Sequence, residues 1–352
     1  MTDTPYLAVD LARLDRNLQA VAELARNAHV DLRPHAKTHK TVELARRQID
    51  SGAVGLTVAT IGEAEAFADA GVSDLFLAYP LWVSAHKGSR LRALADRVAL
   101  RLAVDAVEGA TRLAAELPGA EVLVEVDSGQ HRTGVAPESA GEVAVAAQSA
   151  GLDVVGVFTF PGHGYGPGHA RSDAAAQEIT ALATAAERLR DKGIEPRVRS
   201  GGSTPTIEFA DSGVLTEIRP GVYPFYDAQQ VELGVCGFDD VSLTAVSTVV
   251  HRDGRRVVLD AGSKIIGADR PAWASGHGRI LDEPDARIVA LSEHHAVVEY
   301  PDENTPELGS TVRVVPNHVC TAVNLVDELV VGGGDDGGAV PTWRVIARGA
   351  NS

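Results

Sequence analysis

The amino-acid sequence predicts an α/β protein with an N-terminal (β/α)8 TIM barrel and a C-terminal antiparallel β domain. Between about residues 10 and 225, eight apolar runs rich in Val, Leu and Ile alternate with Ala-rich amphipathic segments. This alternation is typical of parallel strands covered by helices. From about residue 240 the helical periodicity gives way to short alternating runs separated by Gly and Pro, which indicates antiparallel strands. A doubly wound sheet is the alternative to the barrel.

Helical segments separate the predicted barrel strands. An apolar stripe runs from Leu11 to Leu24 at three- and four-residue intervals, and Thr60 with Glu63 forms a capping-box pair at the start of another helix. We expect the barrel to span residues 8–235 and the β domain residues 236–352, which residues 1–7 would join. The predicted barrel strands are residues 31–35, 54–59, 74–79, 98–104, 122–126, 154–160, 197–200 and 216–222.

The β domain has its own set of short predicted strands. A GGGDDGG run at residues 332–338 has neither the Lys-Ser/Thr nor the helix that follows a phosphate loop, so we interpret it as a hairpin turn. The predicted strands are residues 243–250, 256–260, 286–291, 296–300, 311–315, 328–331 and 342–347.

Composition excludes several classes of protein. The 352 residues carry 32 basic and 48 acidic side chains, so the net charge of −16 argues against a nucleic-acid partner. No apolar run reaches membrane-spanning length, and the first residues lack the pattern of a secretory signal. Cys236 and Cys320 are too few for a disulfide framework. We therefore expect a cytoplasmic protein without a membrane partner.

Polar and ionisable residues are concentrated where five of the predicted barrel strands end. The carboxyl edge of a barrel is where active sites lie, so we expect these five clusters to form one. The clusters are residues 33–40 (RPHAKTHK), 125–132 (EVDSGQHR), 162–165 (GHGY), 200–206 (SGGSTPT) and 219–223 (RPGVY).

The cluster at residues 200–206 predicts a phosphate cradle. Gly201 and Gly202 allow close approach of a ligand to the backbone, while Ser203 and Thr204 offer hydroxyl and amide donors. Pro205 suits the first turn of a helix whose N-terminal amides would face the phosphate. Gly221 would complete the cup, although an ordinary Gly-Ser loop is the alternative interpretation.

Lys37 ends the first predicted strand, between His35 and His39, whereas we interpret Lys40 as a surface lysine. Neighbouring cations and desolvation favour a neutral, nucleophilic amine that can form a Schiff base. A nucleophilic lysine together with a phosphate cradle suggests pyridoxal 5′-phosphate, which needs an amine for its aldehyde and amides for its phosphate.

The motifs RPHAKTHK, EVDSGQHRTG, SGGSTPT and RPGVY resemble those of the D-threonine aldolases and D-serine dehydratases. This family belongs to the alanine-racemase-like fold of pyridoxal phosphate enzymes, and the resemblance covers essentially the whole chain. It implies that Lys37 forms the Schiff base, that Arg132 lies near the phenolic oxygen of the cofactor, and that Arg219 faces its pyridine nitrogen. It also implies a homodimer whose active sites lie between the barrel of one chain and the β domain of another.

Thirteen residues are candidates for cofactor binding, and three are candidates for catalysis: Lys37, Tyr165 and His318. The cofactor-binding candidates are Lys37, His35, Arg132, Tyr165, Ser200, Gly201, Gly202, Ser203, Thr204, Arg219, Gly221, Val222 and Tyr223.

His318 and Cys320 form the second specific signal, in the β domain. Residues two apart on a strand point to the same face, so the imidazole and the thiolate could bind one cation. The resemblance implies a metal, because dehydratases of the family carry His-x-Cys as zinc ligands, whereas aldolases can have His-x-Asp. The thiolate favours zinc over manganese or magnesium. Water and the substrate hydroxyl would complete an open site.

These residues predict a metal-dependent pyridoxal phosphate lyase acting on D-3-hydroxy amino acids. His-x-Cys favours dehydration, as in a D-serine dehydratase, to a keto acid and ammonia; the alternative is retro-aldol cleavage to glycine and an aldehyde. Residues 259–264 lack the tyrosine that racemases use as a second base, which argues against an amino-acid racemase. A non-catalytic pyridoxal phosphate-binding protein would lack the β domain. A barrel hydrolase without this cofactor would carry His-x-His on the first strand.

Overall fold

The computed structural model describes residues 3–210, 213–332 and 341–352 and divides into two compact units. The parallel-sheet unit consists of Val21–Lys37, Ala45–Gly221 and Ala350–Ser352. The antiparallel-sheet unit consists of Met1–Ala20, Thr38–Leu44 and Val222–Gly349. No helix among the described residues is both long enough and apolar enough to cross a membrane.

Helices and strands alternate through the first two thirds of the chain. They are β1 (Tyr6–Val9), α1 (Leu11–Asn27), β2 (Asp31–Leu32), α2 (Val42–Asp50), β3 (Leu56–Val58), α3 (Ile61–Asp69), β4 (Asp74–Pro80), α4 (Ala85–Ala95), β5 (Ala99–Val104), α5 (Val107–Glu116), β6 (Glu121–Glu125), α6 (Ala140–Ser149), β7 (Asp153–Phe158), α7 (Ala170–Arg190), β8 (Val198–Gly201), β9 (Glu217–Ile218) and α8 (Ala228–Glu232).

Strands dominate the remainder of the chain. They and the two short helices between them are β10 (Leu243–Asp253), β11 (Arg256–Leu259), α9 (Ser263–Ile266), β12 (Gly278–Ile280), β13 (Glu283–Leu291), β14 (Ala296–Glu299), β15 (Thr311–Pro316), α10 (Val319–Val323), β16 (Glu328–Val331) and β17 (Thr342–Arg344).

The parallel sheet has the strand order β2-β9-β8-β7-β6-β5-β4-β3. Chain order runs steadily along it from β3 to β9, without the reversal of a doubly wound sheet. Backbone hydrogen bonds also link the outermost segments, since Val54 N donates to Leu32 O and Thr57 N to Pro34 O. The first half of the predicted capping box is present, since Thr60 Oγ1 accepts from Glu63 N; the Glu63 carboxylate accepts from the amide of Ala59, the residue before the N-cap.

Two of the predicted parallel strands are shorter than the sequence suggested. The segments 31–35 and 216–222 form regular strand only at Asp31–Leu32 and Glu217–Ile218. Pro34 and Pro220 have no N–H to donate, so the regular ladder stops before them. Pairing persists through the Pro220 carbonyl, which accepts from His35 N.

The second sheet contains a closed six-strand barrel. The order is β11-β14-β13-β12-β15-β10-β1-β16-β17, and β11 also pairs with β10, which closes the first six strands. Sequence analysis missed β1 and β12, because four and three residues are too few to show a period. The predicted turn at 332–338 falls, from residue 333 onward, outside the described residues.

A buried ion network crosses the interior of the parallel sheet. Arg33, only 3% exposed, donates from Nε to Glu217 Oε2 at 2.6 Å and from Nη1 to Asp74 Oδ1 at 2.5 Å. Arg101 Nη1 lies 3.4 Å from the same Glu217 oxygen. Burial alone would raise the pKa of Glu217. The charges of Arg33 and Arg101 and the hydrogen bonds from Arg33 and Ser200 together outweigh it and hold that pKa below its ordinary value.

We expect Arg33→Met to lower the free energy of unfolding by about 3–5 kcal/mol, because it leaves the buried Glu217 charge poorly compensated. Arg97→Met is the control, since Arg97 and Asp69 form an exposed pair of similar length, 2.6 Å, and such pairs contribute about 1 kcal/mol or less. Urea unfolding at pH 7.5 measures both. Equal losses would contradict the importance of the buried network.

Candidate active site

Three of the predicted site residues surround the aromatic ring of Phe160, in the parallel-sheet unit. Lys37 Nζ lies 5.7 Å and Arg132 Cζ 5.4 Å from the ring centroid. The ring of Tyr165 lies 6.4 Å from it, centroid to centroid. Each residue follows the end of a parallel strand. Phe160 was predicted only as the last residue of a strand, and its aromatic side chain just beyond β7 was the one available signal.

Lys37 lies in a single 3₁₀ turn, Ala36–Thr38, directly after the first parallel strand. Its side chain is half-buried, and no hydrogen-bond or ion-pair partner of Nζ is found in the described part of the chain. The imidazole of His35 contacts the backbone of Lys37 rather than its amine: His35 Nδ1 accepts from Lys37 N at 3.4 Å. The predicted neighbour His39 likewise accepts from Thr41 N at 3.1 Å.

Lys40 is not the surface lysine that we expected. It is buried, with a positive φ of 52°. Its Nζ donates to Asn324 Oδ1 at 2.7 Å and to Ala347 O at 3.3 Å, within the antiparallel-sheet unit. Those partners lie about 300 residues further along the chain, so no local pattern could indicate them.

The loop at residues 200–206 does not begin a helix, which corrects the prediction for Pro205. Ser203 O accepts from Thr206 N and Ile207 N, and only a 3₁₀ turn, Ile207–Phe209, follows. Ser203 N donates to Thr206 Oγ1 at 3.0 Å. The amide of Ser203 therefore shapes the loop rather than facing outward as predicted. Ser203, Thr204 and Gly221 still supply hydroxyl or backbone groups to this edge of the sheet.

Gly202 requires glycine for conformational reasons. Its φ is +76°, and a Cβ there would lie 3.2 Å from Ile218 Cβ. Gly202 N donates to Glu178 Oε1 at 2.7 Å. At Gly201 a Cβ would come within 2.4 Å of that same carboxylate oxygen. Both glycines thus bring the loop backbone against a buried acid on α7.

Glu178 is the acid that holds this loop, and sequence analysis missed it. Burial raises its pKa to about 7, partly opposed by the Gly202 N–H and by the charge of Arg219. Glu178 lies within a long Ala-rich helix, and a carboxylate in such a helix indicates the side that is exposed to solvent. Only the fold places it beneath a loop 24 residues further on.

Arg219 is buried in the interior of the parallel sheet. Its Nη2 donates to Thr159 O at 2.5 Å, and its Nη1 donates to Ser200 Oγ. Its guanidinium carbon lies 5.2 Å from the centroid of Phe158 and 5.6 Å from that of Phe76. The guanidinium is therefore fixed in one orientation by aromatic and polar partners.

Glu125, the last residue of β6, places a second buried acid at this edge. Thr133 Oγ1 donates to its Oε1 at 2.9 Å, whereas Oε2 is buried with no hydrogen-bond partner among the described residues. Burial raises its pKa to about 7, and Asp105 adds to this, against the opposing effects of Thr133, Arg132 and Arg219. Glu125 can therefore hold a proton near neutral pH. Glu125 was not predicted as a site residue, because its segment was used only as part of the motif EVDSGQHRTG.

The remaining candidates lie in the antiparallel-sheet unit, where Val222 and Tyr223 are buried. Our strand argument for His318 and Cys320 was wrong. β15 ends at Pro316 and α10 begins at Val319, so His318 is a helix N-cap and the alternation of a strand does not apply. A proline ends the strand ladder because it cannot donate to it.

His318 and Cys320 nevertheless contact each other. Burial would lower the pKa of His318, but the negative charge of Cys320, a hydrogen bond to it, and the charges of Asp227 and Asp269 raise it to about 9. Cys320 Sγ also lies within hydrogen-bond distance of Thr38 Oγ1, at 3.2 Å. No group of three or more His, Cys, Asp or Glu side chains in the described residues is arranged to bind a metal ion. The pair is thus a two-ligand candidate at most.

A parallel eight-stranded unit with a lysine after its first strand, joined to an antiparallel unit, defines the alanine-racemase-like class. Residues 9–229 match the alanine racemase N-terminal domain, and residues 242–332 match the putative serine dehydratase domain. The chain belongs to this family of fold type III pyridoxal phosphate enzymes.

Three comparisons show proteins to which the chain is similar over almost its whole length. The chain is 35% identical to D-threonine aldolase of an Arthrobacter species, over 99% of this chain and 93% of that protein. It is 32% identical to D-threo-3-hydroxyaspartate dehydratase of Delftia sp. HT23, over 97% of both. A mutant of that type of dehydratase, solved in a metal-free form, superposes with a TM-score of 0.90 at 30% identity, over 98% of this chain and 97% of that one.

We expect the stability of the Glu178→Gln variant to rise, relative to that of the unmodified protein, as pH rises from 5 to 8. The folded-state pKa of about 7 lies above the ordinary value of 4.5, so between these values folding must keep Glu178 protonated, which lowers stability as pH rises. Glutamine has no proton to lose.

The measurement is the urea midpoint of both proteins at pH 5.0 and 8.0. Glu187→Gln, at an exposed position on the same helix, is the control. A pH-independent difference between Glu178→Gln and the unmodified protein would show that Glu178 is ionised in the folded state throughout this range.

Proposed function

We propose that the chain is a lyase that uses pyridoxal 5′-phosphate and a divalent metal to act on D-3-hydroxy amino acids. The observation that carries this proposal is the half-buried amine of Lys37, without a carboxylate partner in the described part of the chain, beside Phe160, Arg132 and Tyr165. Its relatives, named as an aldolase and a dehydratase of such amino acids, support the substrate class.

The residues of the parallel-sheet unit fit the cofactor. Lys37 would bind its aldehyde, Arg132 its phenolic oxygen, and Arg219 its pyridine nitrogen, with His35 and Tyr165 beside them. Ser200, Gly201, Gly202, Ser203, Thr204 and Gly221 would surround the phosphate. Val222 and Tyr223, in the antiparallel-sheet unit, are further phosphate-binding candidates that the resemblance implies. Bound pyridoxal phosphate supplies an electron sink for the negative charge that develops on the substrate.

Lys37 would act as the base once the substrate amine has displaced it. For dehydration Lys37 would accept the α-proton, and its ammonium form would then return a proton to the β-hydroxyl, which leaves as water. For retro-aldol cleavage it would accept the hydroxyl proton instead; the bond between Cα and Cβ breaks to release the aldehyde, and Lys37 would return that proton to Cα. Phe160 lies beside this amine, with its ring centroid 5.7 Å from Lys37 Nζ.

The relatives do not separate the two reactions, since one is named an aldolase and the other a dehydratase at similar identity. His318 and Cys320 would hold the cation, which supplies Lewis-acid assistance to the substrate hydroxyl. The thiolate favours zinc, with manganese or magnesium as alternatives. The metal-free form of a related dehydratase supports a metal in this family. We favour dehydration, because the dehydratases that the motifs resemble carry His-x-Cys.

Three further features of the organisation belong to the same proposal. We propose that the parallel strands close into a (β/α)8 barrel, which the hydrogen bonds of Val54 and Thr57 support. Residues 8–235 would then bind the cofactor, and residues 236–352 would carry the metal. We also propose a cytoplasmic homodimer with active sites at the interface, as the resemblance implies.

We expect Lys37→Ala to abolish turnover and the covalent attachment of pyridoxal phosphate while the fold survives. Borohydride reduction of the unmodified protein, followed by peptide mapping, should find the label on Lys37. Lys264→Ala is the control, because Lys264 is an exposed residue paired with Glu293. Labelling of another lysine would show that our assignment is wrong.

We expect chelation to abolish lyase turnover and leave pyridoxal phosphate bound, because the cation assists only departure or ionisation of the hydroxyl. Cys320→Ser should weaken zinc binding strongly, whereas the control Cys236→Ser should not. The substrates are D-serine, D-threonine and D-threo-3-hydroxyaspartate, assayed for keto acid and ammonia and separately for glycine. Full activity after exhaustive chelation, with no metal by elemental analysis, would exclude the metal-assisted reaction. Glycine as the product would identify an aldolase.

A further inference from the structure

Asp227 is a fully buried acid that belongs to neither the predicted site nor the mechanism. It is the N-cap of α8, where its Oδ1 accepts from Gln230 N at 3.0 Å. Its other oxygen, Oδ2, accepts at 3.1 Å from Val319 N, the first residue of α10. One carboxylate therefore binds the first turns of two short helices within the same unit, although Asp227 and Val319 are 92 residues apart in the sequence.

The first turn of α8 also contacts the residue on the other side of His318. Gln229 N donates to Asn317 O at 3.3 Å. The Asn317 side chain donates to Asp269 O at 3.0 Å and to Gly276 O at 2.8 Å. The backbone is thus fixed immediately before and immediately after His318.

Side-chain burial alternates from residue to residue along the segment 317–320. Asn317 and Val319 are buried, whereas His318 and Cys320 are only half-buried. Thr321 Oγ1 donates to Asp269 Oδ2 at 2.5 Å, just beyond Cys320. The anchored Val319 therefore lies between the two half-buried side chains, and the anchored Asn317 and Thr321 flank them.

We propose that Asp227 is a positioning residue for the His318–Cys320 pair, which it fixes through the amide of Val319. This inference rests on the proposed metal site. Two protein ligands provide few bonds, so their affinity for a cation depends on being held in the binding geometry before the cation arrives. Asp227 supplies that order by joining the start of α10 to α8.

The test compares zinc affinity, by competition with a chromophoric chelator at fixed pH, among variants of the full chain. Asp227→Asn retains one acceptor oxygen and so cannot accept from both amides. Asp227→Ser can still cap α8 but is too short to reach Val319 as well. We expect both variants to bind zinc about 10–100-fold more weakly. When cobalt(II) is bound to these variants in place of zinc, its thiolate charge-transfer band should be weakened or shifted.

Asp10→Asn is the matched control. Asp10 caps α1 by accepting from Arg13 N at 3.0 Å, and it belongs to the same unit. It should lower stability slightly and leave zinc affinity and the cobalt spectrum unchanged. A loss of stability at Asp227 with unchanged zinc affinity would show a purely structural cap and overturn the proposal. If the unmodified protein and Cys320→Ser bind zinc equally weakly, the metal site fails, and the role of Asp227 fails with it.

Discussion

The buried carboxylate of Glu217 connects the interior of the parallel sheet to the candidate active site. One of its oxygens accepts from Arg33, and the other accepts from Ser200 Oγ at 2.5 Å. Ser200 Oγ in turn accepts from Arg219, which is also held by Thr159 O. The buried Glu217 carboxylate thus helps to fix the orientation of Arg219, a candidate cofactor-binding residue.

A second kind of constraint recurs in both units. Glu178 accepts from the amide of Gly202, and Asp227 accepts from the amides of Gln230 and Val319. In each case a buried acid from a helix or its cap holds a loop that carries predicted site residues. Burial raises the pKa of both acids, to about 7 and about 6. Both acids therefore hold the loop backbone in one conformation, but they lower the free energy of unfolding at neutral pH.

Sequence patterns predicted the parallel strands, the antiparallel sheet and the position of Lys37, because these depend on local periodicity and on where strands end. They did not predict Phe160, Glu178 or Asp227 as site residues. The contacts that give these residues a role connect distant parts of the chain, such as Asp227 with Val319. The strand assigned to His318 was wrong for a local reason, since Pro316 stops the ladder two residues earlier.

The fixed orientation of the Arg219 guanidinium gives a reason why the proposed lyase would need a metal. An arginine against the pyridine nitrogen keeps that nitrogen unprotonated, which limits how much negative charge the ring accepts from the substrate. A reaction at Cβ must then receive assistance at the hydroxyl itself, and a Lewis acid provides it without a strong general acid. Under the proposed function, the buried arginine and the His-x-Cys pair would serve the same reaction. A racemase needs no such assistance, because it only exchanges the α-proton.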